Sequence, residues 1–378
     1  MSEPPMHLWL SEPLPVAVDA VLTRLRQTPG VAHIAVMPDV HLASEFCVGT
    51  VVGSESLLFP NAVGGDIGCG MLAMPFDAQA ERICDAETAA RILGTLAETC
   101  PARRHHRRTA HALSSELRDC LFADPRLEGL KRSEDSRTQL GTLGAGNHFL
   151  EFQREEMTGR LWLMIHTGSR NLGQCVHHHH LPKARRLHTG IFALDADSDD
   201  GRAYLADVQV ARAWARENRR LLALGAARAV EQILHVTPLL ADLVDCDHNH
   251  LATEMHGDRE LFIHRKGATA AGPDVPGIIP GSMGTTSFHT RGKGHGAALH
   301  SSSHGAGRAR SRTEARNHIT ISALRQQLRN VWYDARLERH LREEAPTAYK
   351  PIAAVMKAQE ELTTVVRRLK PVLVHKGL

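Results

Sequence analysis

The chain has 378 residues, 42% of them apolar, enough for one large domain or two ordinary ones with a buried core. Its 45 Lys and Arg against 42 Asp and Glu leave a formal charge of +3 with histidine neutral, which excludes a uniformly basic coat and confines any nucleic-acid affinity to local clusters. Seven scattered cysteines without a C-x-x-C pair exclude a disulfide framework, and no apolar run reaches the roughly 18 residues of a membrane span.

Residues 1–15 lack a basic segment followed by an apolar stretch, so no signal peptide is expected and the cytoplasm is the expected compartment. A β-branched run at residues 31–36 predicts a strand that stops at Met37-Pro38-Asp39. Val63-Gly64-Gly65-Asp66-Ile67-Gly68-Cys69-Gly70-Met71 then sets a carboxylate and a thiol three residues apart among four glycines, a loop able to bring both side chains to one point. Arg103-Arg104-His105-His106-Arg107-Arg108 is the most basic run, equally a phosphate-binding surface or a solvated helix face.

Asn147-His148 follows the glycine-rich residues 140–146, and residues 161–165 predict a strand delivering His166. His177 to His180 are expected on a helix, in surface or packing roles. Residues 195–201 read as a loop and 202–234 as a helix, taken as an excursion within one domain spanning 1–378. His248 opens His-Asn-His after Asp245-Cys246-Asp247, where Cys246 reads as a buried strand-end thiol. A third strand is expected at 261–263 before His264. Residues 352–370 predict a final amphipathic helix stopped by Pro371, with 372–375 as a short strand.

The unusual count is histidine, 25 copies against three tyrosines. Asp66 and Cys69 with His148, His166 and His248 make a mixed N/O/S donor set, and a thiolate can bridge two ions about 4 Å apart, an arrangement suited to phosphoryl transfer. Any one of these histidines alone is more often a structural residue; the set together points to a metal site. Ser301-Ser302-Ser303-His304-Gly305-Ala306-Gly307-Arg308 surrounds a histidine with small residues, so a triphosphate can approach the imidazole while backbone N–H groups and Arg308 hold its oxygens. His304 is thus a candidate nucleophile, although the same loop could simply turn the chain. Pro280-Gly281-Ser282-Met283-Gly284 is a second small-residue loop, without Walker spacing.

Taken in order, these segments resemble the RtcB family of RNA ligases. The likeness runs through Met37-Pro38-Asp39-Val40-His41, Asp66-Ile67-Gly68-Cys69-Gly70-Met71, Gly141 to Phe149 with Glu151, His166-Thr167-Gly168-Ser169-Arg170, His248-Asn249 with Glu254, His264 to Thr269, Pro280 to Gly284, His304 to Arg308 with Ser311-Arg312, Tyr349-Lys350 and Lys376-Gly377. It implies an α+β fold in a single compact domain, with mixed or antiparallel sheets around a central metal- and nucleotide-binding cleft and peripheral helices. It further implies two divalent ions, usually Mn2+ with Zn2+ or Co2+ as substitutes, on Asp66, Cys69, His148, His166 and His248, with Cys69 shared. His304 would carry GMP. Asn147, Glu151, Ser282, Gly305, Ala306, Gly307, Tyr349 and Lys376 would contact the guanosine nucleotide, and Arg170, Arg308 and Arg312 the RNA phosphates.

The implied activity is GTP-dependent joining of an RNA 3′-phosphate or 2′,3′-cyclic phosphate end to a 5′-hydroxyl end by a monomer. The inserted residues 42–47 and the spelling His-Thr-Gly-Ser-Arg depart from the commoner pattern and suggest a divergent bacterial branch. Two other readings of the same residues are a metal-dependent cyclic phosphodiesterase or nuclease without ligation, and a non-enzymatic RNA-binding factor.

Overall fold

The β-branched run at residues 31–36 does form a strand, and it continues through the Pro-Asp motif as Val31–His41. The computed structural model describes residues 3–43, 45–83 and 85–377; Ser44 of the 42–47 segment and Cys84 lie outside them. Val31–His41 belongs to a five-stranded sheet in the order Met6–Leu8, Val31–His41, Val48–Ser54, Arg259–Lys266, Asn249–His256. The first pair is parallel and the others antiparallel. Its register slips between Val36 and His41, and such a bulge re-aims the residues it contains, Asp39 among them.

An eight-stranded sheet lies beside it, with the main path Val244–Asp247, Gly70–Gln79, Arg160–Thr167, Phe149–Glu155, Thr363–Lys376, Ser287–Gly292, Pro276–Ile279. All neighbours along this path are antiparallel. The fold is α+β, as the resemblance implies. No helix among the described residues is long and apolar enough to cross a membrane.

Two expectations need correction. Residues 352–370 do not form one helix: a short helix, Ile352–Ala358, is followed by the 14-residue strand Thr363–Lys376. The Lys, Glu and Gln residues at 357–361 favour helix locally, but Thr363-Thr364-Val365-Val366 is β-branched and finds a partner in Ser287–Gly292, while the later half pairs with Phe149–Glu155. Pro371 does not end the strand. It sits at a register shift, where a missing N–H leaves no gap in the ladder.

The helix expected from residue 202 starts three residues earlier, as Asp199–Leu234, because Ser198 caps it by accepting the Gly201 N–H at 3.0 Å. It is not an excursion. Tyr204, Val208, Ala211 and Trp214 pack with Ile67, Leu172 and Val176, and Leu222, Ala226 and Val230 pack with Leu72, Phe76 and Ile92, so the helix runs through the cores on both sides of the glycine loop. Alanines at close-contact positions let it lie against the backbone.

His177 to His180 lie on the helix Asn171–His180, His178 exposed at the surface and His180 buried, which are the surface and packing roles expected. His177 Nε2 contacts Asn61 Oδ1 at 2.8 Å, and buried His180 meets Asp207 Oδ2 at 2.8 Å. The basic run at 103–108 is not a helix face. It is irregular up to the single turn Arg107–Thr109, with Arg104 paired to Asp135 and Arg107 to Glu134.

Candidate active site

Strand register delivers the candidate ligands to one end of the eight-stranded sheet. Asp247 is opposite Gly70, Met71 opposite His166, His166 opposite Phe149, and Phe149 opposite Lys376. Cys69, His148, His166 and His248 therefore sit in or next to one row of residues. The glycine loop closes beneath them: Gly68 donates its N–H to Asn249 O at 2.7 Å, and His248 N–H to Cys69 O at 2.8 Å. Gly68 has φ +71°, and a Cβ there would stand 2.8 Å from the Ala215 Cβ of the long helix, so glycine alone fits.

The same helix holds the loops from behind. Asn218 Oδ1 accepts the N–H groups of Gly141 (2.7 Å) and Thr142 (3.1 Å), and its Nδ2 donates to Thr142 O and Gly168 O. Arg219 Nη1 donates to Gly68 O (2.7 Å) and Thr167 O (3.1 Å), while its Nε binds Asp245 at 2.8 Å.

Within this frame Cys69 Sγ lies 3.5 Å from His148 Nε2 and 3.3 Å from His166 Nε2. His148 Nε2 is 3.2 Å from Asp66 Oδ2, and the Nε2 atoms of His166 and His248 face each other at 3.2 Å. His166 Nδ1 is turned to Asn147 O at 3.2 Å, which commits that nitrogen to donating and leaves Nε2 with its lone pair. The Nδ1 atoms of His148 and His248 are buried without partners. Burial, then neighbouring imidazoles, holds His166 and His248 well below the ordinary histidine range. Burial and Asp66 push the Cys69 thiol well up, and Asp66, despite its burial, is drawn down to about 2 by His148. Imidazoles, a carboxylate and a thiol converging on one point are the donor set of a transition-metal site, and the residues fit the ions that the resemblance implies.

His304 follows the strand Ser301–Ser303, which pairs with Ala268–Ala270. Its ring is 4.8 Å from that of His248. Fully buried Asp39 receives it: one carboxyl oxygen, Oδ2, lies 2.7 Å from His304 Nδ1 and accepts the backbone N–H groups of His304 (3.1 Å) and Gly305 (3.3 Å). Gly307, at φ +71°, packs against the Asp39 backbone with no room for a Cβ.

Both groups open on a cavity of 420 Å³. Asp66, Cys69, His166, His248 and His304 line it, as do Asn147, Glu151, Ser282, Gly305, Ala306, Gly307, Tyr349 and Lys376, with Arg308 and Arg312 on the same wall. His148 stands behind Cys69. Arg170 is off the wall, donating to Thr142 Oγ1 (3.1 Å) and Ala102 O (3.4 Å).

Three features of the site carried no isolated signal in the sequence. Glu344 is buried and binds Tyr349 Oη (2.5 Å), Lys376 Nζ (2.9 Å) and Arg308 Nη1 (3.2 Å). Burial raises its carboxyl, but Lys376 and its other partners outweigh this and lower it. Glu151, expected to contact the nucleotide, lines the cavity and accepts from Gln153 Nε2 at 2.6 Å, and burial pushes it up to about 8. Asp39 lay in a motif but had no assigned role, and Asn218 and Arg219 sat unremarked in a helical pattern. Cys246 lies near the end of the strand Val244–Asp247, opposite Met71, and is half-buried where full burial was expected; desolvation is first among the causes raising its thiol to about 12.

The model of the family described as tRNA-splicing ligase RtcB matches residues 21–126 and 118–377. The chain belongs to the RtcB family. Among its curated relatives, the RNA-splicing ligase RtcB of Escherichia coli K12 is 32% identical, covering 99% of this chain and 97% of that protein. The RNA-splicing ligase RtcB of Mycobacterium bovis is 31% identical over 92% of this chain and 98% of its own. The RtcB homolog 1 of Entamoeba dispar is 27% identical over 92% of this chain. RtcB membership and the α+β fold therefore agree with the resemblance read from the motifs.

Proposed function

We propose that this RtcB-family chain is an RNA ligase that joins a 3′-phosphate or 2′,3′-cyclic phosphate end to a 5′-hydroxyl end, using GTP and divalent manganese. The observation that carries the reading is one juxtaposition: His304, anchored by Asp39, shares a cavity with the Asp66, Cys69, His148, His166 and His248 cluster. The same donors would accept zinc or cobalt. Divalent ions held there would neutralise charge developing on phosphate oxygens.

Hydrogen bonding of Nδ1 to Asp39 orients the ring and leaves the Nε2 lone pair as nucleophile, the logic of an oriented imidazole. Nε2 attacks the α-phosphorus of GTP, a P–N bond forms and pyrophosphate leaves. An oxygen of the RNA 3′-phosphate then attacks that phosphorus, and the imidazole departs with its lone pair. Finally the 5′-hydroxyl attacks the activated 3′-phosphorus, gives up its proton and expels GMP. A cyclic end is first hydrolysed to the 3′-phosphate.

Asn147, Glu151, Ser282, Gly305, Ala306, Gly307, Tyr349 and Lys376 are proposed to bind the nucleotide, and Arg308 and Arg312 the phosphates. Arg170 is proposed to brace the loop from behind. Incubation with α-labelled GTP and Mn2+ is expected to leave an acid-labile GMP adduct, absent in His304→Ala although that variant still binds metal. An undiminished adduct in that variant overturns the assignment, and RNA cleavage without GTP-dependent joining favours the hydrolytic alternative.

A further inference from the structure

A second group of metal-type donors lies outside the cavity, on the edge strand of the five-stranded sheet. Glu254 and His256 are two residues apart in Asn249–His256, so they project from the same face. His300 arrives from the turn before Ser301–Ser303, and its ring centroid is 4.6 Å from that of His256. One donor atom from each of Glu254, His256 and His300 lies within 4.8 Å of the others.

Three observations suggest that this grouping is built. The His256 side chain retains only 8% exposure; its Nε2 faces Glu254 Oε2 at 3.3 Å, yet its Nδ1 has no partner, an unsatisfied nitrogen that calls for an explanation. Leu299 and His300 are consecutive non-glycine residues at φ +49° and +47°, a strained turn that aims the His300 ring at His256. Glu254 is gripped by the buried Arg265, with Nη2 3.0 Å from Oε2 and Nη1 on Oε1, as outer-sphere partners hold a ligating carboxylate. A cavity of 240 Å³ reaches His256 and His300, with His33 and Arg259 on its wall, and Glu254 stands behind them.

We propose that Glu254, His256 and His300 bind one imidazole-preferring divalent ion of the zinc class. Arg265 already compensates the carboxylate, and Arg259 on the cavity wall is itself paired with Glu55, so affinity must come from the two imidazoles. That disfavours hard cations such as Mg2+, Ca2+ or Mn2+ and favours Zn2+, Co2+, Ni2+ or Cu2+. The ion staples the strained turn to the sheet edge, at the head of the strand Ser301–Ser303 that leads to His304.

The test is Co2+ binding to the full chain, followed by equilibrium dialysis and visible absorption, a readout independent of ligation. His300→Asn is the main variant, since Asn tolerates the left-handed backbone and should keep the fold. His256→Gln is the second. In both, bound Co2+ is expected to fall by one ion per chain, while the sulfur-to-cobalt band due to Cys69 persists, and excess Zn2+ but not Mg2+ should displace the lost ion from the unaltered protein. Unchanged stoichiometry in the two variants overturns the proposal, and so does loss of the Cys69 band in place of the second ion.

Discussion

Asp39 illustrates how one buried carboxyl can govern a reactive group. Its Oδ2 gathers three nitrogens of the His304–Gly305 segment, so it sets both the ring orientation and the backbone turn carrying the ring. Asp39→Asn keeps the shape but can present an N–H where the imidazole needs an acceptor. We expect GMP-adduct formation in a single turnover to fall roughly 10²–10⁴-fold, with metal binding retained. A rate within about twofold of the unaltered protein would separate Asp39 from His304 chemistry. Glu344 does related work across the cavity, drawing Tyr349, Lys376 and Arg308 around one carboxylate.

Among the elements, the long helix Asp199–Leu234 bears most directly on the site, though it supplies no proposed ligand. Asn218 satisfies backbone groups of two loops that cannot pair with each other, and Arg219 does so for Gly68 and Thr167. Asn218→Ala strands buried N–H groups at Gly141 and Thr142. It is expected to destabilise the chain by about 2–4 kcal/mol in urea denaturation and to speed amide exchange at those two residues.

The strand Arg259–Lys266 carries a pH-dependent contribution at His264. Its Nε2 accepts the Phe59 N–H at 3.0 Å and its Nδ1 faces Val52 O at 3.3 Å, so the native ring is neutral. Burial lowers its pKa from 6.5 to about 4. The unfolded chain therefore takes up the proton first, and stability from this ring is present above 6.5 and is lost as pH falls toward 4. In His264→Phe that part of the pH slope of unfolding should vanish; equal slopes would count against a neutral, bonded His264.

For the whole molecule, what matters is that two sheets and one helix deliver distant segments to a shared point. Asp66, Cys69, His148, His166 and His248 are spread over nearly half the chain, and nothing short of the assembled fold holds their donor atoms together. Metal binding should therefore report on folding. Mn2+ at about 100 times its dissociation constant is expected to add about 2.7 kcal/mol and raise the melting temperature by a few degrees, an effect abolished in Cys69→Ala with His248→Ala. An equal rise in that double variant would mean that Mn2+ acts elsewhere.

The sequence alone determined the chemistry on offer: which thiol, carboxylate and imidazoles were flanked by glycine or ended apolar runs, and the ordered motifs marking an RtcB-type chain. It also indicated the strands that carry Asp39 and His166, because local β-branching and tertiary pairing agree there. Only the tertiary structure decided the rest. Residues 363–370 became a strand because two partner edges took up their β-branched start, and the helix expected as an excursion became central because its alanine face fits the glycine loop. The roles of Asp39, Asn218 and Glu344 arise from partners 265, 77 and 32 residues away, a separation that no local pattern encodes.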